Sequence, residues 1–538
     1  MDKGIENVLF GNKSYLGIEF GSTRIKAVLI DEHHRVIAQG NHDWENKMVD
    51  GIWTYDVPDV IKGLQDCYHK LKIQVKERYD IVLRHIDGIG ISAMMHGYLV
   101  FNEQDELLVP FRTWRNTITQ EASEVLSEVF NFHIPQRWSV AHLYQSILNN
   151  EEHVRSIRYQ TTLAGYVHYR LTGKRVLGIG EASGMFPIDT NKGCFHEGML
   201  DSFDELVASN AFDWKLKDIM PEVLSAGDDA GVLSESGAVL LDPEGDLKAG
   251  VVFCPPEGDA GTGMIATNSI KEKCGNVSAG TSIFAMIVLE KELQKAYEAI
   301  DIVTTPDGKP VAMVHCNNGT SELNTWVNMY KELLAMLNVK ISTEELYDCL
   351  FQKAMEGNVD GGGLLACNYL SGEHITGFEE GFPMVIRNPQ GEFNLANFML
   401  VQMYSSIATL KLGMDILIKE ENITIENLFG HGGFFKTLEV GQKVMAAGLQ
   451  SPVSVMETAG EGGAWGCAVL ASYRVNQKNY HSLLDYLNSS VFAKTEVHTV
   501  QPDGTQQEGF NEYMKQYKKC LHIERYVIDE MHQKESEK

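Results

Sequence analysis

Asp259 is the residue whose setting most invites a chemical role. It follows the apolar run at 249–254 and opens the small-residue stretch Asp259-Ala260-Gly261-Thr262-Gly263. A carboxylate between a strand and a helix start can cap the helix. It can equally take the proton from a hydroxyl that attacks phosphorus. The residues alone leave both roles open.

Two short turns are built to meet an anion. Gly21-Ser22-Thr23 and Gly280-Thr281-Ser282 each interrupt an apolar run. A tight turn of this kind presents backbone N–H groups and small hydroxyls, and glycine permits close approach. Glu19 precedes the first turn and could hold Mg²⁺ directly or through water. Either turn could also be an ordinary hairpin. Met95-His96-Gly97 follows the apolar run at 86–92, and the carboxyl ends of strands are where α/β proteins place ligand groups. His96 could hydrogen-bond a polyol there, or be a packed core histidine. Trp114-Arg115-Asn116 joins an apolar ring to planar hydrogen-bonding groups, an arrangement suited to a polyol or to a plain surface turn. Gly432 and Gly433, and later Gly462 and Gly463, are glycines against which a flat ring could slide and helix starts that favour phosphate. They could also serve close packing.

The elements that must position these residues follow from periodicity. Apolar runs at 15–20, 25–30 and 35–40, separated by turn residues, predict three strands. Apolar positions between about 58 and 77 recur at helical spacing, and 86–92 predicts a further buried strand. A strand, Gly-Thr-Ser turn, strand pattern recurs at 274–290, about half the chain later, so two related halves are expected. Helical patterns run from 395 to 418, a Gly-rich strand-to-helix passage covers 427–438, and the part beyond about 476 is helical and charged with a disordered tail. Short crossings near 265–275 are expected to join the halves.

Composition bounds the partners. The chain has 538 residues, enough for two domains. Its 73 acidic and 46 basic residues give a net charge of −27, a field that repels nucleic acid and anionic lipid. Nine cysteines lie without metal-type or CxxC spacing, as in reduced cytoplasmic proteins. No run of about 18 apolar residues occurs, and the first residues lack the apolar segment of a secretion signal.

Taken in order, Glu19-Phe20-Gly21-Ser22-Thr23, Met-His-Gly at 95–97, Gly-Asp-Ala at 258–260, Gly-Thr-Ser at 280–282, Gly-x-Gly-Gly at 430–433 and Glu-Gly-Gly-Ala-x-Gly at 461–466 resemble the landmarks of the FGGY carbohydrate kinases. The resemblance runs from about residue 15 to residue 473. It implies an α/β fold of two actin-like (ribonuclease H-like) lobes with a deep interdomain cleft, divided as 15–268 and 269–538, with a helical C-terminal extension from about 476. It implies ATP-dependent transfer of the γ-phosphoryl group to a hydroxyl of a small sugar, with ATP and Mg²⁺ as cofactors. By this resemblance Asp259 is the catalytic base and shares the metal with Glu19. Gly21, Ser22, Thr23, Gly280, Thr281 and Ser282 face the phosphates, Gly432, Gly433, Gly462 and Gly463 the adenosine. Met95, His96, Gly97, Trp114, Arg115 and Asn116 line the sugar pocket with Asp259. Met-His-Gly points toward a ketopentose such as L-ribulose or D-xylulose. Two positions depart from the pattern: Glu19 stands where the family has Asp, and Trp-Arg-Asn where xylulokinase-like members have Trp-Asn-Asp. The expected partners are the sugar and ATP, not nucleic acid or membrane, with a homodimer as the assembly to test. The competing classes are a sugar or ATP sensor without turnover and an actin-like ATPase.

Overall fold

The computed structural model describes residues 13–456 and 462–536. The N-terminal residues read for a secretion signal, and Glu461, lie outside them. Two mixed sheets organise the chain. The first contains β1 (Ser14–Phe20), β2 (Arg24–Asp31), β3 (Val36–Asp43), β4 (Gly88–Ala93), β5 (Val252–Phe253) and β6 (Glu257–Gly258), in the order β5-β4-β1-β2-β3 with β6 also on β4. The second contains β7 (Cys274–Ala279), β8 (Ile283–Val288), β9 (Asp301–Thr304), β10 (Pro310–Cys316), β11 (Asn427–His431), β12 (Val453–Met456) and β13 (Val497–Val500), in the order β9-β10-β8-β7-β11-β12-β13.

The expected internal repeat is present as topology. β1 pairs antiparallel with β2 through the turn at 21–23 and parallel with β4. β7 likewise pairs antiparallel with β8 through the turn at 280–282 and parallel with β11. Each lobe therefore opens with a hairpin whose first strand is central and whose turn lies at the carboxyl end of the neighbouring parallel strand. That is the edge at which open α/β sheets bind ligands.

Alternation along β1 assigns its faces. Leu16, Ile18 and Phe20 enter a core with Leu64, Tyr68 and Leu71 of α1 (Val57–Tyr79). Glu19 and Gly17 face the opposite way. A Cβ at Gly17 would fall 2.0 Å from the Ala464 carbonyl oxygen, so only glycine lets α4 (Gly462–Asn476) lie against the strand. This helix, late in the chain, thus packs on the first sheet and against α2 (Asp259–Ala266). The second core is built on α3 (Leu395–Asp415). The C-terminal helix α5 (Gly504–Ser536) docks there too, with Tyr513 OH donating to the Ala366 carbonyl at 2.9 Å and Tyr517 OH to Tyr369 OH at 2.8 Å. The extension therefore packs on the second lobe, and its helix continues into the tail read as disordered. Among the described residues no helix is long and apolar enough to cross a membrane.

Candidate active site

Asp259 is the first residue of α2, and Gly258 occupies the N-cap with no side-chain capping bond. Asp259 is therefore not the N-cap residue weighed from sequence, although it still accepts one N–H of the helix start. The Asp259 Oδ1 accepts from the backbone N–H of Met95 at 3.2 Å and of Ala260 at 3.0 Å. Its edge is open to solvent, yet the protein massed around it raises its pKa above the usual carboxylate range, against the pull of those two donors. The carboxylate is thus accessible to a ligand yet poorly hydrated.

Glu19 closes on the same point from β1. Burial and the negative charge of Asp259 push it up to about 7, opposed by its cross-strand neighbour Lys26 and by the Ala464 N–H at the start of α4. Two carboxylates that repel each other at the carboxyl ends of strands of one sheet are groups that a hard divalent cation could bridge.

Two more carboxyls lie behind Asp259, and the sequence reading had not singled them out. Glu181 and Glu257 are buried, and Glu257 Oε2 accepts the Glu181 N–H at 3.0 Å. Burial pushes Glu257 up to about 8 and Glu181 well above its ordinary value. Glycines make the space. A Cβ on Gly178, Gly180 or Gly258 would fall 2.2, 2.4 or 2.5 Å from one of these carboxyl oxygens. The cluster of glycines around Glu181 in Gly178-Ile179-Gly180-Glu181 was the available signal.

The Met95-His96-Gly97 turn borders this floor. His96 and Gly97 have φ of 71° and 100°, and a left-handed histidine is a strained choice that surrounding structure must hold. His96 Nδ1 lies 3.0 Å from the Gly184 carbonyl, so Nδ1 carries the proton and donates, leaving Nε2 as an acceptor. Burial and the nearby Arg137 cation lower its pKa to about 3, so the ring is neutral. The Met95 side chain packs between Gly184 and Gly258; its backbone N–H is what serves Asp259.

The hairpin turns are tied from behind. The Gly21 carbonyl accepts from Trp44 Nε1 at 2.7 Å and the Ser22 carbonyl from Tyr55 OH at 2.6 Å, with the two rings stacked at 4.2 Å. In the second turn the Gly280 carbonyl accepts from Thr320 N at 2.9 Å, and the Thr281 carbonyl from Gly319 N at 2.9 Å. Thr23 and Thr281 remain exposed at the tips, with Gly21, Ser22, Gly280 and Ser282 half-exposed. Gly432, with φ 99°, abuts the second turn: its Cβ would fall 2.4 Å from the Ala279 carbonyl. Gly433 beside it is exposed with open space around it.

Two expected placements change. Asn116 is buried, its Oδ1 accepting from Trp53 N at 2.8 Å and its Nδ2 donating to Trp53 O and Thr113 O at 2.8 and 2.9 Å. Its polar atoms hold the segment Ile52–Thr54 and are not available to a sugar. Arg115 lies over the Trp53 ring at 4.2 Å, and Trp114 alone of the three presents an open apolar ring. Gly463 does not join Gly432. Its Cβ would fall 2.1 Å from Glu19 Oε1 and 2.9 Å from Thr262 Oγ1, so it lets α4 close on the carboxylate end of the site. Gly462, with φ 79°, is exposed at the start of α4.

The turns at 21–23 and 280–282 and the Asp259 carboxylate are the groups these elements leave accessible to a ligand. A model of the N-terminal domain of the FGGY family of carbohydrate kinases matches residues 14–245, and its C-terminal-domain counterpart matches 275–475. The chain belongs to the FGGY family and is a carbohydrate kinase, a phosphotransferase with an alcohol group as acceptor. The xylulose kinase of Haemophilus influenzae is 24% identical over 423 residues, covering 75% of this chain and 79% of that one. A ligand-bound xylulose kinase from Lactobacillus acidophilus superposes with a TM-score of 0.77 at 15% identity, over 95% of this chain and 98% of that one. Plasmodium falciparum glycerol kinase with ADP gives 0.73 at 16% identity, over 94% and 98%. These structures establish the actin-like two-lobed fold.

Proposed function

We propose that this kinase transfers the γ-phosphoryl group of ATP to D-xylulose, with L-ribulose as the nearest alternative acceptor, and that Asp259 is the general base. The observation that carries the reading is the Asp259 carboxylate: first in its helix after the Gly258 N-cap, accessible, and oriented by the Met95 N–H of the turn that also carries His96. The xylulose kinase relatives support the choice of ketose.

In this mechanism the neutral His96 accepts a sugar hydroxyl through Nε2, and Trp114 offers its face to the carbon chain. Asp259 takes the proton of the attacking hydroxyl as the oxygen–phosphorus bond forms. Its raised pKa makes it a better acceptor than a hydrated aspartate would be. The N–H groups and hydroxyls of residues 21–23 and 280–282 receive the phosphates from the two lobes, and Gly432 and Gly433 leave room for the adenosine. Glu19 and Asp259 would hold Mg²⁺, which when bound neutralises phosphate charge. Among the described residues no three acid, histidine or cysteine side chains gather as a metal site, so phosphates and water would complete its shell. Lobe closure keeps water from competing with the sugar. The lobes divide near residue 268, with α4 crossing back to the first, and the nine free thiols fit a cytoplasmic setting.

The test follows ADP release with Mg-ATP across D-xylulose, L-ribulose, D-ribulose, glycerol, gluconate and no sugar. D-xylulose should be the best acceptor, and Asp259→Asn should lower kcat by about a hundredfold or more. Sugar-independent hydrolysis, or an Asp259→Asn variant of undiminished kcat, refutes the reading.

A further inference from the structure

β9, the edge strand of the second sheet, is fastened to the first lobe at both ends. At one end the Asp301 carboxylate meets the Arg137 guanidinium, with His133 Nε2 at 3.5 Å from its other oxygen. At the other end Thr304 N–H donates to Ser183 Oγ and Thr304 Oγ1 to the Ile179 carbonyl, both at 3.0 Å. Just beyond it, Ala226 N–H donates to the Pro306 carbonyl at 2.8 Å.

One of the first-lobe residues that hold β9, Arg137, also holds the Met95-His96-Gly97 turn, and the turn's other supports lie close to it and to Ser183 in sequence. The Arg137 carbonyl accepts the Gly97 N–H at 3.4 Å, and Ser139 Oγ donates to the Gly97 carbonyl at 2.5 Å. Gly184, next to Ser183, accepts from His96. A single residue, Arg137, therefore touches the turn through its backbone and the opposite lobe through its side chain. The pair is largely shielded, with 9% of the Asp301 side chain and 25% of the Arg137 side chain accessible. On lobe separation both groups would regain water, so the pair acts only when the lobes are together.

We propose that the Arg137–Asp301 ion pair couples lobe closure to the sugar-binding turn, which makes Arg137 a positioning residue for phosphoryl transfer. The inference rests on the kinase reading above for its substrate, and goes beyond it in assigning a function to β9. The pair favours the closed arrangement, and because Gly97 hangs from Arg137, the same contact sets the turn on which His96 meets the sugar. The coupling runs both ways: a seated sugar steadies Arg137, and Arg137 draws Asp301 with the second lobe.

The experiment compares wild type with Arg137→Met, Asp301→Asn, the double variant and Arg137→Lys. With D-xylulose and Mg-ATP, each single variant should lower kcat/KM for the sugar by roughly 5- to 150-fold, the usual span of a coupling between sites. KM for ATP should stay within about twofold, since neither residue lies on the phosphate turns. The double variant should lose no more than either single one, and Arg137→Lys should recover part of the loss because it keeps the charge. Small-angle scattering without sugar should give a larger radius of gyration for the single variants, a readout that needs no turnover. Losses in kcat/KM that multiply in the double variant, or scattering and kcat/KM both unchanged, overturn the proposal. If wild type fails to phosphorylate D-xylulose, the acceptor assignment falls, and an unchanged or expanded radius still decides the role of the pair.

Discussion

Gly463→Ala is the sharpest single-atom perturbation available at this site. The added Cβ would lie 2.1 Å from Glu19 Oε1 and 2.9 Å from Thr262 Oγ1. The first contact is about 1.3 Å inside the distance at which ordinary carbon–oxygen contact begins. Glu19 swings away only by giving up the Ala464 N–H or by moving toward the Asp259 charge. Either the carboxylate or the start of α4 must move by about an ångström, a misplacement that can cost about a hundredfold in rate. Stability changes less. Overpacking costs about 1–3 kcal/mol, while replacing glycine by alanine near a helix start returns up to about 1 kcal/mol. The variant should therefore fold, lose a few degrees in Tm at most, and show kcat reduced by about a hundredfold in an ADP-release assay. The decisive control is Gly463→Ala combined with Glu19→Asp, which withdraws the clashing oxygen by roughly one carbon–carbon bond, about 1.5 Å. The pair should recover at least tenfold over Gly463→Ala, a coupling of about 1.4 kcal/mol. A Gly463→Ala enzyme with wild-type kcat, or a double variant whose losses simply multiply, would refute the reasoning.

Gly432→Ala should raise KM for ATP and leave KM for the sugar unchanged, because its φ of 99° and its contact with the Ala279 carbonyl belong to the second turn; initial rates at varied ATP and fixed sugar test this. Asn116→Ala should lower stability by about 1–3 kcal/mol in urea unfolding, the cost of leaving the Trp53 N–H without the Asn116 acceptor, since the Trp53 and Thr113 carbonyls keep the backbone N–H groups of Thr113 and Asn116. Trp114→Ala should do the opposite, raising KM for the sugar with unchanged unfolding. Glu257 gives a pH signature. Its unfolded carboxyl ionises near 4.5 whereas the folded one keeps its proton to about 8. The folded state thus binds the extra proton, and stability falls as pH rises between those values, by up to about 1.4 kcal/mol per pH unit. Tm measured from pH 5 to 8 should decline less in Glu257→Gln than in wild type.

The hairpins were legible because they are local: an apolar run, a Gly-Ser/Thr turn and a second apolar run specify their own pairing, and β1 with β2 and β7 with β8 form as read. Asp259 was legible as a candidate for the same reason. Its contact with the Met95 N–H, from a distant turn, is what no short-range pattern reveals. The neighbours of Gly463 and Asn116 were not legible because they come from tertiary contact. A Gly-Gly helix start looks identical whether it faces a nucleotide or a buried glutamate, and Asn116 is occupied by Trp53, distant in sequence. Glu181 was passed over because the glycines beside it also fit a solvated turn; here Gly258 and Glu257, distant in sequence, close on it.

A chain with a net charge of −27 that receives a triphosphate must concentrate its favourable field in very few places. The structure does so by aiming helix starts at its acids: α2 begins at Asp259, and the Ala464 N–H of α4 faces Glu19. Helix N-termini stabilise negative charge, yet here the burial of Glu19, Glu257 and Glu181 outweighs them, and each carboxyl retains its proton more strongly than in water. Protons thus moderate the repulsion that full ionisation of four neighbouring acids would create. A carboxyl that titrates near 7 is about half protonated at neutral pH, so a cation held by Glu19 would displace the proton from that fraction. Nucleotide binding should accordingly release protons at neutral pH, and isothermal titration in buffers of different ionisation enthalpy reads that release directly. A binding enthalpy independent of the buffer would mean that Glu19 is ionised before the nucleotide arrives, and would remove the electrostatic account given for it.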